Sequence, residues 1–144
     1  LGEYTDASAT VRASYDKENI YFLVEVSDKD VSSSDYVKLM LADQESSIHE
    51  ALSITMGADG LVLCDRKGEN NLQIMHSFAC NGSCDNAEDV DEGWLMELAV
   101  PLSMLDFNNS QIAFNVAFLD APSSKEDMLC ESENVSDWMR INVL

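Results

Sequence analysis

Acidic side chains gather in two short stretches of the sequence, and both offer the oxygen ligands that hard cations prefer. The stretch "SDKDVSSSD" carries Asp28, Asp30 and Asp35, and the stretch "DNAEDVDE" carries five acids over residues 85–92. Calcium takes about six to eight oxygen ligands, so either stretch could supply part of a calcium site. Neither has the ordered pattern of an EF-hand loop, and a solvated acidic loop is the alternative for both.

The four cysteines do not form a recognisable metal motif. Cys80 and Cys84 lie in "CNGSC", a spacing that zinc knuckles do not use, and the chain has two histidines. A disulfide between Cys80 and Cys84 is compatible with an oxidising compartment, and free buried thiols are equally compatible. The sequence does not determine the connectivity of Cys64, Cys80, Cys84 and Cys130.

Signatures of catalysis are missing from the sequence. It contains no G-x-S-x-G nucleophile elbow, no P-loop and no G-x-G-x-x-G dinucleotide fingerprint. Pairs of carboxylates are too abundant in such an acidic chain to indicate a glycoside hydrolase. The sequence therefore predicts that the protein is not an enzyme.

The strong excess of acidic side chains argues against anionic partners. The 144-residue chain has a formal net charge of −19, from 27 acidic and 8 basic side chains. Such a surface repels phosphate backbones and anionic lipid, so we expect no nucleic-acid partner and no membrane insertion. The length predicts a single domain over residues 1–144. Its abrupt start, without the regions of a signal peptide, indicates a module of a larger secreted or cell-surface protein.

Apolar and polar residues alternate along most of the chain, which predicts β-strands. In "NIYFLVEVS", Ile20, Phe22, Val24 and Val26 share one face, and the same alternation recurs in "DYVKLMLAD", "ALSITMG", "WLMELAV" and "QIAFNVAFL". Turn sequences such as "DKEN" and "GADG" separate the runs. About nine strands at this spacing predict an antiparallel β-sandwich. Only "PLSML", at 101–105, predicts a short helical turn.

Three segments in a fixed order carry a family resemblance. They are "ASYDKENIYFLVEVSDKDV", "DYVKLMLAD" and "DEGWLMELAVPLSML". In this order they resemble carbohydrate-binding module family 9 and its DOMON-like relatives. The last segment, a strand that ends at a proline before a short turn, is the most specific of the three. The resemblance covers residues 7–143 and implies a jelly-roll-like sandwich of about nine to eleven strands.

The resemblance also implies a function. Its members are non-catalytic accessory modules that hold a secreted glycoside hydrolase, or a surface protein, near a polysaccharide or glycan. They bind the ends of sugar chains by stacking a ring between two tryptophans, and some carry structural calcium. The family places acids at the positions of Asp28, Asp30 and Asp35, which makes this stretch the preferred calcium site. Other domains of the same polypeptide are the further partners that the resemblance implies.

The chain has two tryptophans, and their patterns differ. Trp94 shares a strand face with apolar residues, which predicts a core position. Trp138 shares a face with Arg140 and Asn142, so we expect it to be half exposed. An aromatic ring beside Arg and Asn suits a sugar, because C–H groups pack on the ring and hydroxyls meet the polar groups. The second wall of a clamp would have to be a tyrosine, and the candidates are Tyr4, Tyr15, Tyr21 and Tyr36.

Two other interpretations are compatible with the sequence. Some DOMON relatives hold haem b between a methionine and a histidine, and His76 lies on a predicted apolar strand face. A lone histidine in that position is otherwise a hydrogen-bonded core residue. A structural or protein-interaction module without a sugar site is the second alternative, because a fold does not dictate a function.

Overall fold

Two antiparallel sheets pack face to face, as the alternating pattern predicts. The computed structural model describes residues 1–2, 5–43, 45–105, 111–121 and 123–143. One sheet has the order β1-β2-β7-β6, and the other has the order β10-β8-β3-β4-β5, with β9 paired to β8. The strands are β1 Ser8–Tyr15, β2 Asn19–Ser27, β3 Tyr36–Asp43, β4 Leu52–Gly57, β5 Val62–Asp65, β6 Met75–Asn81, β7 Gly93–Pro101, β8 Gln111–Leu119, β9 Asp127–Met128 and β10 Met139–Asn142. The predicted β-sandwich is confirmed.

The main core lies between the two sheets and is built from alternate residues of the long strands. Phe22 and Val24 of β2 and Leu39 and Leu41 of β3 are almost completely buried there. Each such side chain contributes about 1.5–3 kcal/mol when it leaves water. Trp94 belongs to the same core, is 3% exposed and packs against Phe78 at 6.3 Å between ring centroids. The prediction of a core position for Trp94 is confirmed.

Short turns join the strands where the sequence predicts them. Asp16 caps the turn between β1 and β2, since its Oδ1 accepts hydrogen bonds of 2.8 Å from the amides of Glu18 and Asn19. The "GADG" turn uses Gly60 with a φ of +84°, a value that a side chain disfavours. The predicted helical turn is a 3-10 helix over Leu102–Met104, and Pro101 ends β7 before it. No helix in the described ranges is long and apolar enough to cross a membrane.

The six-stranded sheet is covered on both faces, and Trp138 covers part of its outer face. A second apolar cluster contains Trp138, Met40 and Ala42 of β3, and Ala113 and Ala117 of β8. Small alanines leave room for a large ring on the sheet, and Trp138 is only 3% exposed. Its Nε1 donates a hydrogen bond of 2.9 Å to the carbonyl oxygen of a nearby loop residue. The prediction that Trp138 is half exposed is therefore wrong.

Replacing Trp138 should unfold the domain more easily. We expect Trp138→Ala to lower the free energy of unfolding by about 3–5 kcal/mol, because it leaves a cavity over the alanines of β3 and β8. Trp138→Phe keeps an aromatic ring in that place and should cost less. Chemical denaturation of the three proteins measures the difference. A Trp138→Ala variant as stable as the parent would contradict this packing.

Candidate functional site

The three residues predicted to bind sugar do not form an open platform. Trp138 has no free ring face at 3% exposure. The guanidinium of Arg140 donates through Nη2 to the carbonyl oxygen of Ser136 at 2.5 Å. Asn142 is exposed, and its Oδ1 accepts a hydrogen bond of 2.8 Å from Gln111. Because the ring of Trp138 is covered, a sugar cannot stack on it in this structure.

Three carboxylates meet at one end of the sandwich. Asp28 follows β2, Asp35 precedes β3, and Asp120 follows β8, so strand ends from both sheets bring them together. One carboxylate oxygen from each lies within 4.8 Å of the others. Asp28 and Asp35 are 6% and 1% exposed. The cluster is therefore a concentration of negative charge that water reaches poorly.

The structure brings two members of the predicted calcium set together, and the third lies outside the cluster. Asp28 and Asp35 belong to the cluster, whereas the third member is Asp120 and not Asp30. Asp30 donates its amide to Asp28 Oδ1 at 2.9 Å and lines the adjoining cavity of about 510 Å³. Asp120 lies 85 residues further along the chain than Asp35, and only the antiparallel pairing of β3 with β8 places it there. An acid directly after the predicted strand "QIAFNVAFL" was the signal that could have found it.

Burial raises the proton affinity of the cluster. Removal from water raises the pKa of Asp35 to about 6, and the charges of Asp28 and Asp120 add to this effect. Amide donors partly offset it, since Asp35 accepts 2.8 Å and 2.7 Å hydrogen bonds from Ala121 and Ser32. Burial likewise raises the pKa of Asp120. The folded protein thus binds protons more tightly here than the unfolded chain, whose aspartates titrate near about pH 4.

The donor set of this cluster suits a hard divalent cation. All three groups are carboxylates, and the Oδ2 atom of Asp28 is buried without a hydrogen-bond partner. A buried, unpaired carboxylate oxygen is costly unless a cation or a donor meets it. Asp6 and Asp30 line the adjoining cavity and could add oxygens. Oxygen-only coordination is what calcium prefers.

The second acidic stretch is a hydrogen-bonded loop. Asp91 is 4% exposed, and its two oxygens accept amide hydrogen bonds of 3.0 Å from Ser83 and Val31. Asp85 accepts the amide of Ser33, also at 3.0 Å. These bonds fasten residues 81–91 to the segment that carries the carboxylate cluster. Both oxygens of Asp91 already accept hydrogen bonds from backbone amides. Asp91 therefore holds the loop in place and is a poor candidate for a calcium ligand.

A groove of about 560 Å³ lies on the outer face of the four-stranded sheet. Its lining combines apolar and polar side chains from neighbouring strands. Tyr21 pairs with Ala99, which pairs with Met75, and Leu23 pairs with Glu97, which pairs with Ser77. Tyr21 is 38% exposed and Met75 is 71% exposed. The groove therefore offers an accessible aromatic ring beside hydrogen-bonding groups.

The ring of Tyr21 is held in place by the β1–β2 turn. Its hydroxyl donates a hydrogen bond of 2.8 Å to Asp16 Oδ2, and Asn19 Nδ2 lies 3.3 Å from the same hydroxyl. The bond to Asp16 raises the pKa of Tyr21, because the phenol must give up this donor to ionise. The amide of Glu18, the hydroxyl of Tyr21 and the amide of Asn19 lower the pKa of Asp16. Tyr21 is thus preorganised, which lowers the entropy cost of binding.

A second aromatic residue, Tyr36, lies on the outer face of the six-stranded sheet with a charged pair. Its hydroxyl donates to Glu126, and Lys38 Nζ lies 3.2 Å from Glu126 Oε1 and 5.6 Å from the centroid of the Tyr36 ring. Burial, followed by the bond to Glu126, raises the pKa of Tyr36 to about 12. Tyr15 is 41% exposed but does not line the groove, and Tyr4 lies outside the described residues.

The cysteines form no disulfide among the described residues, and His76 is not buried. All four cysteines are free thiols, so the alternative of a Cys80–Cys84 disulfide is not present in this structure. Cys84 Sγ donates to the carbonyl oxygen of Ala58 at 2.9 Å, and burial raises its pKa to about 11. His76 is exposed at the sheet edge, and its Nδ1 lies 3.3 Å from the carbonyl oxygen of Ile74. The prediction of a core histidine is therefore wrong, and His76 contributes to the lining of the groove on the four-stranded sheet.

Comparison with solved structures identifies the fold. A carbohydrate-binding module family 9 from Caldicellulosiruptor kristjanssonii in complex with cellotriose matches with a TM-score of 0.68 and 17% identity, over 96% of this chain and 76% of that chain. The chain has the fold of carbohydrate-binding module family 9. The module from the same organism in complex with glucose also matches, with a TM-score of 0.68 and 18% identity, over 97% of this chain and 78% of that chain. No protein-family model matches the sequence, and the search of curated proteins finds no match.

Replacing one carboxylate tests the cluster. In a chelating buffer we expect Asp28→Asn to raise the melting temperature by a few degrees, because an amide donor replaces the unpaired Oδ2 and one negative charge disappears. Millimolar calcium should raise the melting temperature of the parent protein and have little effect on this variant. Differential scanning calorimetry measures both. An equal calcium response in parent and variant would contradict a site at Asp28, and Asp59→Asn, in the β4–β5 turn, is the control.

The pKa of Asp35 predicts the direction of the pH dependence without calcium. The folded pKa lies above the unfolded one, so the folded state holds more protons between about pH 4 and pH 6. The free energy of unfolding contributed by this group should therefore fall as the pH rises through that window. Comparing urea denaturation of the parent and Asp35→Asn at pH 5 and pH 7 isolates the contribution. A difference that does not change with pH would show that Asp35 does not titrate there.

The contact between Asp16 and Tyr21 can be tested by titration. Asp16→Asn keeps an oxygen for the turn amides but can remove the acceptor of the Tyr21 hydroxyl, so the pKa of Tyr21 should fall toward its ordinary value. Ring-carbon chemical shifts of labelled tyrosine, followed by NMR, report this change. The pKa of Tyr36, on the other sheet, should stay the same. An unchanged Tyr21 titration would refute the hydrogen bond as the cause.

Proposed function

We propose that this protein is a non-catalytic carbohydrate-binding module. The observation that carries the proposal is the groove on the four-stranded sheet, where the preorganised ring of Tyr21 lies beside Glu97 and Ser77. Sugar rings present apolar C–H faces and hydroxyl rims, so an aromatic ring next to a carboxylate and a hydroxyl matches both. The solved structures with this fold, in complex with cellotriose and with glucose, support the same ligand class.

Three polar side chains of the groove, Tyr21, Glu97 and Ser77, have distinct roles in this proposal. Tyr21 provides the stacking surface, and its hydroxyl stays bonded to Asp16. The exposed carboxylate of Glu97 accepts hydrogen bonds from sugar hydroxyls, and the hydroxyl of Ser77 can donate or accept. Hydrogen bonds to a charged group contribute about 1.5–3 kcal/mol each. Glu97 should therefore determine specificity more strongly than Ser77.

Calcium has a structural role in the proposal. A cation at Asp28, Asp35 and Asp120 would neutralise the buried carboxylates and fasten the ends of β2, β3 and β8 together. The groove and this cluster share β2, but Tyr21 lies seven residues before Asp28. Calcium would thus stabilise the sandwich without contacting the sugar. The proposed setting is a larger secreted or cell-surface protein, in which the module keeps its partner domains near a glycan.

Binding to a glycan panel tests the function. We expect isothermal titration calorimetry with cello-, xylo- and manno-oligosaccharides to show saturable binding to at least one series. Tyr21→Ala should weaken that binding by about two- to tenfold, because an aromatic contact contributes about 0.5–1.5 kcal/mol. Glu97→Gln should weaken it by a similar factor while circular dichroism stays unchanged.

A matched tyrosine serves as the control. Tyr15 and Tyr21 are 41% and 38% exposed, but only Tyr21 lines the groove, so Tyr15→Ala should leave the affinity unchanged. A loss with Tyr36→Phe and not with Tyr21→Ala would move the site to the six-stranded sheet. No binding by a folded protein across the panel would refute the proposal and favour a structural or protein-interaction module.

A further inference from the structure

Strand β7 forms the floor of the groove. This floor continues along β7 away from Tyr21, toward Leu95 and Gly93. The outward residues of β7 are Pro101, Ala99, Glu97, Leu95 and Gly93, in that order along the sheet. The part that lines the groove and its continuation runs from Ala99 to Gly93, and these two residues are small. A bulky side chain at either end would close the groove, whereas alanine and glycine leave the floor unobstructed along the strand direction.

A second hollow extends the first along this floor. It has a volume of about 320 Å³, and Leu95, Gly93, Ala79, Asn81 and Glu25 contribute to its lining. The outward row of Glu25, Leu95 and Ala79 follows the row of Leu23, Glu97 and Ser77 by two residues, which corresponds to about 7 Å. The two hollows therefore adjoin on one sheet face, and four successive rows of β7 span about 20 Å.

Close packing of the backbones of β7 and β2 requires glycine at position 93, at the far end of the groove floor. The φ of Gly93 is +121°, and a Cβ atom there would lie 1.9 Å from the carbonyl oxygen of Val26 on the neighbouring strand. Only glycine fits this close approach of β7 to β2 without moving the strands. The same approach that fixes Gly93 in the sheet leaves no side chain above it on the groove floor.

Side chains of β2 and β6 flank the floor on its two sides. Tyr21, Leu23 and Glu25 lie along β2, and Met75, Ser77 and Ala79 lie along β6. Glu25 forms an ion pair with Arg12 of β1, so this carboxylate is partly neutralised. Apolar and polar side chains thus both occur in successive rows of the groove, and they match a chain of sugar rings better than a single ring.

The charge of the face excludes acidic polymers. Glu25, Glu92 and Glu97 line the two hollows, together with Arg12 and His76. The chain as a whole carries a formal net charge of −19. Polyuronic or sulfated glycans would be repelled by this surface. A neutral glycan meets no such barrier.

From this geometry we infer that the outer face of the four-stranded sheet binds an internal stretch of a linear, neutral glycan that lies along β7. The inference rests on the proposed function and specifies its ligand. A lined floor of about 20 Å with small residues at Ala99 and Gly93 suits a chain of several sugar rings better than a single chain end. The family resemblance instead implies a clamp on a chain end, so the two binding modes make opposite predictions about the ends of the ligand.

Oligosaccharide length and end chemistry distinguish the two modes. Calorimetry is carried out with the cello-, xylo- or manno-series that binds, from the disaccharide to the hexasaccharide, and with the borohydride-reduced hexasaccharide. We expect the affinity to rise at least tenfold from disaccharide to hexasaccharide and to change less than twofold on reduction of the end. Equal affinity for all lengths, or loss of binding on reduction, would overturn the inference and leave the proposed function intact. Absence of binding to every series would refute both.

Blocking the far half of the groove gives an independent test. Ala79 is exposed on the outer row beside Leu95, so Ala79→Arg should place a long side chain over the second hollow. We expect it to weaken hexasaccharide binding about tenfold and to leave disaccharide binding at Tyr21 unchanged. Leu63→Arg, at a residue that is 50% exposed on β5 of the other sheet, is the matched control. Unchanged hexasaccharide binding by a folded Ala79→Arg protein would show that the second hollow is not used.

Discussion

Buried aspartates that accept backbone amides hold one end of this sandwich together. Asp35 receives amides from Ser32 and Ala121, and Asp91 receives amides from Val31 and Ser83. Long connections meet there, and their amides would otherwise be buried without partners. Aspartate side chains accept hydrogen bonds from these amides, but this places several negative charges close together in a region with little access to water. The carboxylate cluster is a consequence of this solution, since Asp35 belongs to both the amide network and the cluster.

Strand β2 links that charged end to the groove. Its inward residues fill the core, its outward residues form one side of the groove, and Asp28 follows its last residue. Strand β7 lies beside it, and the close contact at Gly93 fixes their separation. A rigid pair of strands therefore positions Tyr21 and Glu97 without help from mobile loops. Sites built on strands keep their geometry better than sites built on loops.

The sequence predicts what depends on local alternation and misses what depends on partners distant in the chain. The faces of β2 and the core position of Trp94 follow from period two alone. Trp138 also follows a strand pattern, but the alanines that accept its ring come from β3 and β8, and their positions require the sheet order. Asp120 joins the acid cluster for the same reason. Tyr21 was one of four equivalent tyrosines until the β1–β2 turn showed which ring is fixed.

The covering of the six-stranded sheet by Trp138 has a consequence for any shortened form of the protein. A polypeptide ending before residue 138 would retain nine of the ten described strands and most of the main core. It would nevertheless expose Met40 and the alanines of β8 on a sheet face, next to the unpaired edge that β10 leaves on β8. Bare edges and apolar faces favour pairing between molecules. Proteolysis before residue 138 would therefore favour association between molecules while the main core is still intact.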